Sequence, residues 1–205
     1  NTFTIRPGIR FIYNTDYNAP ITPALHSLYN YNKNVTIRAS YSKGFRSPSL
    51  KELYHYFVDQ SHTILGNTEL MSENSSNYQL SMEIITKKTH PIKLDISTYY
   101  NVVRNKINLT YTNPNPDDNE MTYFNIGSQK NIGASLNVNY SRNNFIANFG
   151  NSYVGFENNI SNKDYENDLI DRFNFNIESS ANLIYNLKKN KLQFNLFYKY
   201  SGLQN

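Results

Sequence analysis

The sequence predicts an all-β protein: part of an antiparallel up-and-down transmembrane β-barrel, about nine strands long. Three observations carry this. Apolar and polar residues alternate with a period of two along most of the chain. The 205 residues include 18 tyrosines and 12 phenylalanines, ring types that form girdles where a barrel wall crosses the membrane interfaces. The connections then alternate long and short throughout, as in outer-membrane barrels with outward loops and tight periplasmic turns.

Composition narrows the classes. There is no cysteine, which removes disulfide frameworks, zinc-finger spacings and thiol nucleophiles. No apolar run approaches the roughly 18 residues of a spanning helix. Mean hydropathy is negative, but a wall that is apolar on one face only keeps its average low. On composition alone a soluble β-sandwich with a Tyr-rich surface fits as well. The strict rhythm of connection lengths decides for the barrel, because Greek-key sandwiches are not expected to keep it. The net charge of +4 comes from scattered Lys and Arg and leaves no nucleic-acid footprint.

The opening NTFTIRPGIRF reads as a strand rather than a signal peptide. Phe3, Ile5, Pro7, Ile9, Phe11 and Tyr13 share one face, with Thr4, Arg6, Gly8 and Arg10 opposite. A loop from Asn14 to Pro23 is marked by its prolines, and a second strand covers Ala24 to Tyr31. Asn32-Lys33-Asn34 is a tight turn. The third strand starts at Val35 and breaks at Gly44. A long loop, Gly44 to Ser76, leads to a strand beginning near Asn77 with Tyr78, Leu80, Met82 and Ile84 on one face.

Lys87 to Pro91 turns the chain into a strand from Ile92 to about Tyr111, longer than a roughly 30 Å hydrocarbon layer requires. Residues 113–119 form a proline-bearing loop tip. The descent from Met121 to Ser141 holds Gly127 and Gly133, read as bulges or bends. Arg142-Asn143-Asn144 is the next tight turn. Phe145 to Tyr153 ascends, a polar loop spans Glu157 to Asp171, Phe173 to Leu187 descends, Lys188-Lys189-Asn190 turns, and Leu192 to Tyr200 ascends last. The turns at Asn32, Thr89, Asn143 and Lys189 are then periplasmic, and the Gly44–Ser76 loop faces outward. An odd strand number and a final unpaired ascent imply an interior piece of a larger barrel, since open backbone is prohibitively costly in lipid.

The outward loop carries two boxes, GFRSPSLKELY and, further on, GNTEL. These resemble the TonB-dependent outer-membrane receptors of Gram-negative bacteria, whose barrels often show GFRAPS.KELY and GNP.L.PE.S. Ser47 stands where that family usually has Ala, Thr68 where it has Pro, and Met71-Ser72-Glu73 where it has Lys-Pro-Glu. The resemblance implies a barrel of about 22 strands around an N-terminal plug, with residues 1–205 all barrel and no plug among them. It implies active uptake of a scarce nutrient, an iron chelate such as a siderophore or haem, energised through TonB. The partners implied are that chelate, TonB by way of a plug segment, the plug itself and outer-membrane lipid. No resident cofactor is expected.

The loop also holds the residues with most chemistry. His55 and His62 lie between the boxes, and in haem receptors of this family a histidine so placed serves as an axial ligand. Imidazole suits iron, and Tyr54, Tyr56 and Phe57 are rings able to stack on a porphyrin. His62 is preferred as the ligand, and as a metal contact only if the chelate is haem. The alternative is that both histidines are ordinary loop residues. Arg46 meets either an anionic ligand or, structurally, a carboxylate of the barrel wall or the plug. Pro48 fixes the turn, and Gly66 supplies a backbone angle other residues resist. No catalytic constellation assembles from the four histidines or from any Gly-x-Ser-x-Gly or HExxH pattern, so an enzyme is not expected. The runner-up is a passive porin-like channel; a barrel-embedded enzyme ranks third.

Overall fold

The computed structural model describes residues 1–15, 17, 19–60, 63–86, 91–112, 120–159, 173–187 and 192–202. His62 and His90 fall outside these residues. So do the expected tip at 113–119, residues 160–171 of the expected polar loop, and the turns at 87–90 and 188–190.

In chain order the elements are β1 (Thr2–Arg10), β2 (Thr22–Asn30), β3 (Val35–Arg46), α1 (Leu50–Tyr54), β4 (Tyr56–Val58), β5 (Thr63–Leu65) and β6 (Glu73–Ile85). There follow β7 (Ile92–Tyr111), β8 (Glu120–Arg142), β9 (Phe145–Asn159), β10 (Asn174–Leu187) and β11 (Leu192–Ser201). Nine of them form one antiparallel wall in the order β1-β2-β3-β6-β7-β8-β9-β10-β11, each beside its predecessor in that wall. The nine expected strands are present. The additional pieces α1, β4 and β5 sit in the outward loop, where no regular structure was expected. Within the described residues the sheet does not close: β1 and β11 are its two edges.

Register keeps the two faces apart. Pro7, Leu25, Tyr41, Tyr78, Tyr100, Ile132, Gly155 and Phe175 lie on one row across eight strands. Tyr41 and Tyr78 have ring centroids 4.9 Å apart, Tyr78 and Tyr100 6.4 Å, and Tyr153 stacks on Phe175 at 4.7 Å. This is an aromatic belt on the lipid-facing side. One polar pair on that face satisfies itself, with Asn151 Nδ2 donating to Ser179 Oγ at 2.7 Å. On the opposite, lumen-facing side Ser97 and Ser135 share a hydrogen bond of 2.7 Å. There Lys93 reaches Glu83 at 3.0 Å and Asp95 at 3.4 Å.

Three expectations about glycine need correction. The strand does not break at Gly44; β3 runs on to Arg46 and β6 already begins at Glu73, so the loop is 47–72. Gly44 pairs with Ser75, whose hydroxyl occupies the space a β-carbon would take. Gly133 marks no bulge either: it pairs in register with Tyr99 and Val154, and the Tyr99 ring fills the space above it. At Gly127 the ladder skips the pair with Asn105 while the register is unchanged on either side, which excludes the inserted residue of a bulge and leaves the bend. The opposing Asn105 has φ 54°, a left-handed conformation that asparagine tolerates.

The described tight turns have simple causes. Asn32 Oδ1 accepts from the Asn34 and Val35 amides at 2.8 and 2.9 Å, an Asx turn. Asn143, at φ 49°, turns β8 into β9 between the paired residues Arg142 and Phe145. The first strand is shorter than expected. It ends at Arg10, whose carbonyl accepts from the Thr22 hydroxyl at 3.2 Å, leaving Phe11 and Tyr13 beyond the sheet.

Candidate functional site: the outward loop

Residues 47–72 do not hang free above the wall. β7 and β8 run 20 and 23 residues, far longer than the neighbouring strands. At about 3.3 Å per residue they extend well past the hydrocarbon layer. The loop lies against that extension. β5 pairs in parallel with β8, Thr63 to Leu65 against Glu120 to Thr122, and antiparallel with β4.

The loop begins with a helix that the sequence encodes locally. Ser49 caps α1: its Oγ accepts from the Glu52 amide at 3.3 Å, and the Glu52 carboxylate accepts from the Ser49 amide at 2.7 Å. This reciprocal capping box satisfies amides that a helix start leaves unpaired. Its signal, Ser-x-x-Glu, stands in the sequence at Ser49 to Glu52. Leu53 on the helix is buried with Leu70 and Ile107, and Tyr17 and Tyr123 pack around them. The apolar positions of both boxes thus meet in one small core on the β7–β8 extension.

The boxes are also tied by charge. Arg46, last residue of β3, donates from Nε and Nη2 to the two oxygens of Glu73 at 2.9 and 2.6 Å. Its Nη1 reaches both oxygens of Glu52, at 2.9 and 3.1 Å. Glu73 Oε1 also accepts from the Ile107 amide at 2.8 Å. All three guanidinium nitrogens therefore end on carboxylates. The wall-carboxylate partner expected for Arg46 is present, as Glu73 of β6. Burial pushes the Glu52 carboxyl upward, but the Arg46 guanidinium and the Ser49 amide and hydroxyl outweigh it and hold it below its ordinary 4.5.

Hydrogen bonds finish the attachment. Asn125 on β8 accepts from the Met71 amide at 2.7 Å and donates to the Met71 and Asn105 carbonyls at 2.8 Å each. Asn67 donates to the Tyr123 carbonyl at 2.9 Å, and its own amide donates to the Glu52 carbonyl at 2.9 Å. Thr122 Oγ1 donates to the Leu65 carbonyl at 2.8 Å. Nothing in the sequence singled out Asn125 or Thr122, whose loop partners Met71 and Leu65 lie more than 50 residues away. The reason for Gly66 also differs from the expected one. It has no positive φ. A β-carbon there would instead lie 2.6 Å from the Leu53 carbonyl and the His55 amide.

The predicted ligand residues sit on the surface of this anchored body. Tyr54 and Tyr56 are 67% and 78% exposed. His55 between them is half-buried; its amide donates to Lys51, its carbonyl accepts from Gly66, and its ring stacks parallel to Phe57 at 6.3 Å. Of these residues the structure brings the His55 and Phe57 rings together, while Arg46 is engaged with Glu52 and Glu73. Among the described residues no group of three or more His, Cys, Asp or Glu is placed to hold a metal ion.

A family described as "TonB dependent receptor-like, beta-barrel" matches residues 1–205. The chain belongs to the TonB-dependent receptor family. It is accordingly a Gram-negative outer-membrane protein of a family of transport receptors. The receptor is 25% identical over 146 residues to the iron-regulated outer membrane virulence protein of Vibrio cholerae, a stretch covering 66% of this chain and 22% of that protein. Among solved structures it resembles the Serratia marcescens hemophore receptor HasR, solved as a double mutant with its hemophore HasA and heme. The TM-score is 0.73 at 15% identity over 98% of this chain and 38% of HasR. It also resembles the siderophore receptor PirA from Pseudomonas aeruginosa, with a TM-score of 0.71 at 16% identity over 97% of this chain and 38% of PirA. These likenesses establish the wall architecture. The chain spans about a fifth of the curated relatives' length.

Proposed function

We propose that the receptor takes up an iron chelate, a siderophore or haem, with residues 1–205 as barrel wall around a plug supplied elsewhere in the full protein. Uptake is energised by TonB through that plug. The observation that carries the reading is the anchored outward loop, which holds Tyr54, His55 and Tyr56 at the outer surface on a body fixed to the wall by Arg46, Glu52 and Glu73. A loop attached so thoroughly loses less conformational freedom when a ligand docks. The printed functions of the similar proteins support the chelate class: one receptor bound to a hemophore and heme, one named for a siderophore, one regulated by iron.

In this reading His62 is the axial ligand if the chelate is haem, and Tyr54 and Tyr56 flank the ring. Titration of the full-length receptor in detergent with haem and with a ferric siderophore tests it, alongside His62→Ala and His55→Ala. Saturable haem binding that weakens in His62→Ala establishes the haem form. Siderophore binding indifferent to both histidines establishes the other. A folded receptor that binds neither, and conducts ions without TonB, overturns the reading in favour of a passive channel.

A further inference from the structure

On the lipid-facing side three strands turn from apolar to cationic just beyond the aromatic belt. β7 runs apolar from Ile92 to Val102, interrupted by Thr98, and then presents Arg104. β8 runs apolar from Tyr140 to Ile132 and then presents Lys130, and β3 does so from Val35 to Tyr41 before Lys43. Ten residues separate Tyr140 from Lys130, about 25 Å of height at about 3.3 Å per residue and a strand tilt near 40°, which matches the apolar band of a barrel. The charges stand where headgroups begin. Arg104 is diagonal to Lys130 across the β7–β8 ladder, Ser128 and Val102 being their direct partners. Diagonal neighbours on one face lie about 7–8 Å apart, within reach of long side chains. Lys43, two strands from β7, has a stem long enough to carry its ammonium up from the apolar edge. The carboxylate beside Lys130 is Glu157, which that lysine already engages. Lys43 and Arg104 are exposed and have no acidic partner among the described residues. Beneath the charges the same face is hollowed. Tyr78, Tyr100 and Tyr153 stand around a groove of about 680 Å³ that Leu80, Thr98 and Ala134 also line. Thr98 and Ala134 pair across the ladder, and their short side chains give the groove its depth.

We infer that this face holds a phosphate-bearing lipid of the outer leaflet, its headgroup on Arg104, Lys43 and Lys130 and an acyl chain in the groove. The inference goes beyond uptake and stands independently of the chelate reading. A guanidinium fork matches phosphate oxygens bidentately, and lysines add point charges beside it. Cations at a membrane surface attract anionic lipid. The groove by itself would accept an acyl chain of any lipid; the charges directly above it select the phosphate. A second copy of the receptor docked face to face would instead bring cation against cation.

Native mass spectrometry of the full-length receptor tests this, after incubation in detergent with bisphosphorylated lipid A or with the same lipid stripped of its phosphates. The phosphorylated form is expected to bind at least about tenfold more tightly. The Lys43→Gln/Arg104→Gln double variant should lose most of that preference while still retaining the dephosphorylated lipid. Ala134→Trp, which fills the groove, should weaken both lipids. Comparing the two lipids on the unaltered receptor decides the matter even if a variant folds poorly. Equal binding of both lipids there overturns the inference, because the contact is then ordinary apolar wetting of the wall. An undiminished preference in the double variant places the phosphate elsewhere and also overturns it. So does lipid binding indifferent to Ala134→Trp. A receptor dimer that lipid A does not displace puts a second copy on this face and overturns it as well.

Discussion

Arg46 and Glu73 face each other as the last pair of the β3–β6 ladder, and their side chains close it with two hydrogen bonds of 2.9 and 2.6 Å. One partner comes from the first box of the outward loop and the other follows directly on the second. The same guanidinium reaches Glu52 in the helix between them. The two boxes are therefore ends of one clasp. Arg46→Ala leaves two carboxylates facing each other without a counter-charge. It is expected to weaken loop attachment by about 1–3 kcal/mol. Hydrogen exchange of the full-length receptor should show faster exchange over residues 47–72 and an unchanged wall at β7–β10.

The clasp has a pH dependence whose sign follows from Glu52. Its folded-state value lies below the ordinary 4.5, so its contribution is fully present above that value and is lost as pH falls through the lowered folded value. Protease protection of the loop should be constant from neutral pH down to about 5 and should decline below the ordinary carboxylate range. In Glu52→Gln the acid-dependent decline should shrink, with protection already reduced at neutral pH.

Gly66 and Gly8 make a contrasting pair. A β-carbon at 66 meets the Leu53 carbonyl and His55 amide at 2.6 Å, whereas at 8 the nearest contact is Ala24 Cβ at 3.7 Å. Gly66→Ala is expected to cost about 1–3 kcal/mol by overpacking against rigid backbone. Gly8→Ala should be close to neutral. Thermal denaturation will order the two variants, and equal losses would show that backbone crowding at 66 is not the reason for the glycine.

Asn125→Ala removes one acceptor and two donated bonds, all to backbone groups. About 1–3 kcal/mol of local stability is at stake, because the partners are left unsatisfied. Limited proteolysis near Met71 should accelerate while the barrel stays folded. Unchanged cleavage would mean that the Leu53–Leu70–Ile107 core alone holds the loop.

Much of the wall was legible in the sequence because each strand states its own pattern: Tyr78 to Ile84 and Ile92 to Ser97 alternate strictly, and alternation needs no knowledge of partners. The outward loop was legible only as two boxes around an aromatic stretch. Its hidden order arises from pairings distant in the chain, Asn67 with Tyr123 and Asn125 with Met71, which leave no periodic trace. Gly44 and Gly133 were misread for a related reason. A glycine inside a strand marks either a bend or a close neighbour, and only the Tyr99 ring and the Ser75 hydroxyl, seen in three dimensions, tell which. Arg46 showed a carboxylate partner as a type, but not that Glu52 and Glu73 would both reach it.

The overlong β7–β8 hairpin has a mechanical consequence. Because β5 is woven onto β8 and Asn125 rivets Met71 to the same strand, the loop and the hairpin form one turret rather than two independent flaps. Tyr54 and Tyr56 therefore stand on a segment joined to the wall twice, once through β8 and once through the Arg46–Glu73 pair.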